Sequence, residues 1–126
     1  MKKSMKSNFA KAKRKELSAI YHRVLVISDL HKPFTHPDAD RFLAACKKKF
    51  NPDLVISSGD EADYHNMSFH SSDPNLPSAS DELRLTVKKL KPLDTLFPKM
   101  KILESNHGSM VHRKALAEGF PQHVCK

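Results

Sequence analysis

The sequence predicts an α/β fold: a parallel sheet built in the order β-α-β-α-β and flanked by helices. Three short strand-like runs, Val24–Ser28, Leu54–Ser58 and Lys101–Ser105, alternate with two segments of helical periodicity. Right-handed crossovers then set the three strands side by side, all pointing one way.

Each element has its own signal. Val24-Leu25-Val26-Ile27-Ser28 is a continuous, β-branched run, the pattern of a strand buried on both faces. Pro37 suits the first turn of a helix. Ala39, Phe42, Leu43, Cys46 and Phe50 then recur at helical spacing. Lys47, Lys48 and Lys49 complement that helix's C-terminal dipole, and Asn51-Pro52 ends it. Leu54-Val55-Ile56-Ser57-Ser58 reads as a second buried strand. Residues 61–80 form a long polar loop rich in Ser, Asp, Pro and His, and such a loop in a compact domain usually has a function. Ser78 to Asp81 resembles a helix start, with Asp81 and Glu82 suited to the first turn. Leu83, Val87 and Leu90 mark the inner face of this helix, and Pro92 should kink or end it. After the third strand a short helix is expected near Val111–Glu118, stopped by Gly119 and Pro121.

The chain has 126 residues, enough for one domain, and its 39% apolar content without tryptophan allows a modest core. Cys46 and Cys125 share no metal-binding or redox spacing, and Cys46 reads as a small buried hydrophobe. That usage suits a reducing cytoplasm. No stretch is long enough to span a membrane, and the basic N-terminus is not followed by the apolar run of a signal peptide. The net charge of +8 is concentrated at one end. Lys2, Lys3, Lys6, Lys11, Lys13, Arg14, Lys15 and Arg23 face Glu16 alone, so the rest of the chain is nearly neutral. Residues 1–22 thus form a basic extension, disordered over 1–8 and helical over 9–22, with Leu17, Ile20 and Tyr21 on one side of the helix. Such an arm suits a polyanion, DNA or RNA, or is simply a solvated tail.

The chemistry sits at the strand ends. Asp29-Leu30-His31 follows the first strand, Gly59-Asp60-Glu61-Ala62-Asp63 the second and Asn106-His107-Gly108 the third. Open parallel sheets bind ligands at the carboxyl ends of their strands. Three adjacent strands would therefore deliver Asp29, His31, Asp60, Asn106 and His107 to one place. Carboxylate, imidazole and amide oxygen suit divalent Mn²⁺, Fe²⁺ or Zn²⁺, and the two oxygens of Asp60 would let it bridge two ions. Each motif alone is weak; their shared order, each immediately after a buried strand, is specific.

Asp29-x-His31, Gly59-Asp60-x-x-Asp63 and Asn106-His107 resemble, in that order, the signature of the calcineurin-like metallophosphoesterases. The segments GDEADYHNMSFHSSDPNLPSASDEL and LFPKMKILESNHGSMVHRK also resemble the small phosphoesterases of tailed phages. The resemblance covers residues 22–126. It implies the first half of a four-layer αββα sandwich over 23–126 and hydrolysis of phosphate mono- or diesters at a two-metal site, with Mn²⁺ the expected ion. A host-cytoplasmic location would follow for a phage protein. It also implies that Asp29 and His31 hold the first metal, Asp60 bridges both, Asn106 binds the second, and His107 protonates or stabilises the leaving oxygen. Asp63 is expected to brace the loop by hydrogen bonds rather than bind metal, and Asp63 and His65 to orient a ligand or touch substrate; His22, His36 and His70 read as surface or loop residues.

Two departures from the family pattern stand out. Ser105 occupies a position where glycine is usual. A later histidine and a Gly-His-x-His motif, which complete the family's metal shell, do not occur in this sequence. The expectation is therefore a domain truncated at its C-terminus, with one strand edge and an apolar face open to self-association or to a second polypeptide that completes the sheet. The rival expectation is a catalytically inactive or split remnant that binds nucleic acid or a partner.

Overall fold

The computed structural model of the protein describes residues 11, 13–16, 18, 20–71 and 73–124. Strands β1 (Val24–Ile27), β2 (Leu54–Ser57) and β3 (Lys101–Ile102) form one parallel sheet in the order β1-β2-β3. Val24 pairs with Leu54 and Ile27 with Ser57, while Ile56 pairs with Lys101 and Ser57 with Ile102. Helix α1 (Ala39–Phe50) links β1 to β2, and α2 (Ala79–Leu96) links β2 to β3. A single 3-10 turn, His65–Met67, interrupts the long loop, and α3 (Met110–Ala117) follows β3. This is the predicted β-α-β-α-β order. The described residues between 11 and 20 are helical. The expectations for residues 1–8, Leu17 and Cys125 fall outside the described residues.

Local chemistry sets the helix ends. Asn51 takes the left-handed conformation (φ 42°) and donates its N–H to the Lys47 carbonyl, closing α1 where Pro52 forbids another turn. At the start of α2 the Ser78 hydroxyl accepts the Asp81 N–H at 3.2 Å and donates to the Asp81 carboxylate at 2.7 Å. Pro92 does not end α2, which runs on to Leu96. Its ring lies on the exposed side of the helix, where water can serve the carbonyl it leaves unbonded.

Both helices cover the same sheet face. Ile27 and Leu30 pack there with Leu43 of α1 and with Leu93 and Phe97 at the end of α2; Leu25, Val55, Leu90, Leu96 and Met100 close around them. The strands are therefore not buried on both faces. Val24 and Val26 point away from the helices and are 48% and 62% exposed. Val24, Leu54 and Ile56, bordered by Lys13, Arg14 and Tyr21, line a groove of about 540 Å³ on this face. The strands are also shorter than expected, because the chain turns out of the sheet toward the loops at Ser28, Ser58 and Leu103.

The helix faces need correction too. In α1 only Leu43 is buried, Phe42 and Phe50 are exposed, and Cys46 is half-buried rather than buried. In α2 the buried positions are Glu82, Thr86 and Leu93, while Leu83 and Val87 face out. The polar pair is inside because it has partners. Glu82 accepts the N–H groups of His65 (2.8 Å) and Asn66 (3.2 Å) and the Asn66 side-chain amide (3.0 Å); Thr86 donates to the Lys32 carbonyl at 3.1 Å. The N-terminal half of α2 thus packs on the functional loops, and its C-terminal half packs on the sheet.

Candidate metal centre

Pairing between β1 and β2 continues past the strands. Asp29 donates its N–H to the Gly59 carbonyl (3.3 Å), His31 to Asp60 (2.9 Å) and Lys32 to Glu61 (2.8 Å), and Asp63 donates back to Lys32 (2.9 Å). The two motif loops therefore run side by side, with a parallel bridge at Lys32 and Ala62. Lys32 is buried, and its ammonium sits 2.8 and 2.9 Å from the two Asp40 oxygens, pinning the first loop to α1.

Strain concentrates here. Asp29 (φ 54°), His31 (φ 46°), Asp60 (φ 57°) and Tyr64 (φ 54°) are left-handed. They are four of the five non-glycine residues with positive φ among those described, and the fifth, Asn51, is the stop of α1. Each costs roughly 1–2 kcal/mol for a residue with a Cβ. Such conformations persist only where the surroundings over-determine them, and they gather at functional sites. The backbone ladder between the two loops imposes that constraint, and the turns it enforces re-aim successive side chains.

The end of β3 is brought hard against the end of β2. Gly59 has φ 106°, and a Cβ on it would lie 2.1 Å from the Ser105 Cβ, so only glycine fits. Ser105 then uses its Oγ to accept the Asp60 N–H at 3.0 Å and the Gly108 N–H at 3.1 Å. The Asp60 Oδ1 accepts the His107 backbone N–H at 3.0 Å. Burial, the largest single influence, pushes the Asp60 carboxyl up, but the Ser105 side chain, the His107 N–H and the charges of His107 and His31 together hold it below the usual carboxylate range.

Three donors converge. One ligand atom each from His31, Asp60 and His107 lies within 4.8 Å of the others, the one such group of His, Cys, Asp and Glu among the described residues. The imidazoles meet edge to face, with centroids 4.7 Å apart. Asp63 prepares both rings. Its carboxylate lies 2.7 Å from His31 Nδ1, and its backbone carbonyl faces His107 Nδ1. A carbonyl and a carboxylate both accept, so each Nδ1 donates a proton, and each Nε2 is left to bind an ion through its lone pair or, once protonated, to act as a donor. Two imidazole nitrogens and an ionised carboxylate oxygen form a donor set that fits a divalent ion of the Mn²⁺, Fe²⁺ or Zn²⁺ kind.

The other predicted residues lie at the margin. Asp29 approaches with Oδ1 3.9 Å from His31 Nε2, but its side chain is 68% exposed. Asn106 is exposed, and its Oδ1 accepts from Arg113 Nη2 at 2.7 Å. His65 does not reach the three donors; its Nε2 accepts the Asp73 N–H at 3.2 Å inside the long loop. His107 stands among the prospective ligands rather than apart from them. Sequence reasoning missed Glu82 and Arg113. A glutamate four residues after a helix N-cap and an arginine on the helix after Asn-His were available signals, but neither spacing points to a site by itself.

A parallel α/β sheet thus gathers acid and imidazole groups at its strand ends into a set that could hold a metal ion. The sequence matches the calcineurin-like phosphoesterases over residues 22–113, and the chain belongs to that family. No curated protein and no solved structure matches it. Family membership makes the chain a hydrolase of the phosphoesterase class, a class that works on phosphate esters with divalent metal ions. No helix among the described residues is long and apolar enough to cross a membrane.

Proposed function

We propose that this centre hydrolyses phosphate monoesters or diesters with two divalent ions, Mn²⁺ first among them. The observation that supports the reading is the convergence of His31, Asp60 and His107, with both Nδ1 atoms already committed to Asp63. The ions would supply positive charge for the phosphoryl oxygens and an activated water. Asp29 and His31 would hold the first ion, Asp60 would serve both, and Asn106 would serve the second. The Asp60 carboxyl, held below the usual carboxylate range despite burial, stays ionised for that task. His107, protonated at Nε2, protonates or stabilises the leaving oxygen, and Asp63 orients both rings through their Nδ1 atoms. Asp63 and His65 complete the surroundings, His65 through the loop.

Residues 23–126 form the hydrolase body and residues 1–22 a separate basic extension that binds DNA or RNA. Support for the extension comes from Lys11, Lys13, Arg14 and Lys15, which are exposed on one helical stretch. A cytoplasmic setting and kinship with phage phosphoesterases rest on cysteine usage and on the quoted segments.

A second reading is favoured by the uncovered sheet face of Val24 and Val26. In it, a partner polypeptide or another copy of the chain covers that face, and the chain alone binds rather than catalyses. Hydrolysis of an aryl phosphodiester and an aryl phosphomonoester with and without Mn²⁺, set against His107→Ala, separates the two. The hydrolase reading expects Mn²⁺-dependent turnover that His107→Ala removes. No turnover by the chain alone, restored when a polypeptide bearing Gly-His-x-His is added, would select the second reading.

A further inference from the structure

The structure assigns Arg113 as a residue that binds the phosphoryl oxygens of the substrate, held in reserve on Asn106. The inference rests on the hydrolase reading above and names a substrate-binding residue for that same site.

Arg113 lies one turn into α3, the helix that follows Asn106-His107 directly. Its Nη2 donates to the Asn106 carbonyl at 3.0 Å and to the Asn106 Oδ1 at 2.7 Å. One nitrogen of the guanidinium is thereby used, and the other donors of the fork remain open. The residue is exposed, and none of the ion pairs among the described residues includes it. Most of the other cationic groups close to the functional loops are committed: Lys32 to Asp40, Lys89 to the Pro33 carbonyl and Lys114 to the Ser68 carbonyl. Arg113 is therefore a full positive charge, without a carboxylate to neutralise it, anchored to the residue next to His107.

That placement has an electrostatic consequence. Asn106 is the residue expected to serve the second ion, and the guanidinium already occupies its amide oxygen. A divalent ion and a guanidinium on one oxygen repel each other. A phosphoryl group resolves the conflict, since its oxygens accept the guanidinium fork and lower the positive charge around Asn106. Substrate and second ion then favour each other, and by linkage the coupling is mutual. Released from Asn106, the Arg113 side chain swings from a Cα that the N–H donated to the Ser109 carbonyl at 3.0 Å fixes on α3, next to the residue that precedes His107.

The test is calorimetric titration of inorganic phosphate into the Mn²⁺-loaded full chain, with Arg113→Ala and Arg113→Lys alongside. Arg113→Ala should weaken phosphate binding by about ten- to a hundredfold, the usual loss for a charge-assisted hydrogen-bonding group. Arg113→Lys keeps the charge and loses the fork, so it should fall between the two. Mn²⁺ titrated without phosphate should bind Arg113→Ala at least as tightly as the unmodified protein, which a merely structural role of Arg113 would not produce. With phenyl phosphate as substrate the loss should appear in KM more than in kcat. Phosphate affinity within twofold of the unmodified protein in a Mn²⁺-binding Arg113→Ala would overturn the assignment and leave the metal centre intact. Failure of the unmodified protein to bind Mn²⁺ would instead remove the metal centre and the assignment together.

Discussion

The loops after β1 and β2 and the loop after β3 contribute to the same site in different states of readiness. The first two are laced together by backbone hydrogen bonds from Asp29 to Asp63, and their left-handed residues are locked in place. They present His31 and Asp60 with fixed partners. The third loop gives His107 a fixed ring but leaves Asn106 exposed and turned to Arg113. Preorganisation in this protein is therefore uneven. A trio of donors is built before any ion arrives, whereas Asp29 is mostly exposed beside His31 and the Asn106 amide oxygen is engaged by Arg113. The first ion should meet a formed site, and the second should help to form its own.

The largest effect that would break this comparison comes from Asp60, the carboxylate shared by the trio and by the expected bridge. Asp60→Ala should abolish measurable Mn²⁺ binding in calorimetry. Equal Mn²⁺ affinity in the variant and the unmodified protein would mean that the convergence of the three residues is not a metal site. Next comes Asp63, which touches no ion in this reading but orients both imidazoles. Asp63→Ala removes the carboxylate partner of His31 and keeps the carbonyl that faces His107; losing such an orienting group typically costs about 10–100-fold in metal affinity, so Mn²⁺ should weaken by about that factor. Asn106→Ala should cost the first ion far less than Asp63→Ala does. If the order of these two is reversed, the third loop is the organised half and the comparison is upside down.

Glu82 sharpens the comparison from below. It is buried and accepts three N–H groups from the 3-10 turn that follows Tyr64. Glu82→Ala strands the His65 and Asn66 N–H groups and should cost about 1–3 kcal/mol of stability for the unsatisfied donors, read as a lower midpoint in urea. Mn²⁺ affinity should fall only modestly, because Asp63 is also held by its own N–H on Lys32 at 2.9 Å.

Much of this architecture is legible in the sequence, for definable reasons. Asp29, Asp60 and Asn106 come directly after strand-like runs, and a parallel sheet gathers the residues at its strand ends along one edge. Asn51-Pro52 and Ser78 mark helix ends because capping is local chemistry. The misread parts depend on partners distant in the chain. Val24 and Val26 look like core residues, since a β-branched run carries no information about whether a second layer covers it. Glu82 and Thr86 look like surface residues, since only the fold reveals the His65, Asn66 and Lys32 groups that satisfy them. Asp63 reads as a loop brace, but its service to two histidines at once depends on how three strand ends meet. Arg113 binds Asn106 across the start of α3, a contact that depends on how the loop before the helix folds rather than on helical spacing.

The smallest expected effect concerns Ser105, whose Oγ accepts the Asp60 and Gly108 N–H groups. Its hydroxyl is the first of the groups that hold the Asp60 carboxyl down against burial. A carboxyl whose folded value lies below its unfolded value stabilises the fold at pH above the unfolded value. That contribution disappears as pH falls through the lowered folded value. Ser105→Ala removes the hydroxyl and keeps the Cβ that packs on Gly59, so the Asp60 value should rise and the pH-dependent contribution should shrink. The variant also loses the acceptor for the Asp60 and Gly108 N–H groups, a deficit that does not vary with pH. Metal-free melting temperatures should therefore differ most at neutral pH. The gap should narrow to a constant remainder once the solution is acidic enough to protonate Asp60 in both proteins. A gap of the same size from neutral to acid pH would show that Ser105 acts on the loop backbone alone. The organised half of the site would then owe its ionised carboxylate to His107 and His31 rather than to the serine.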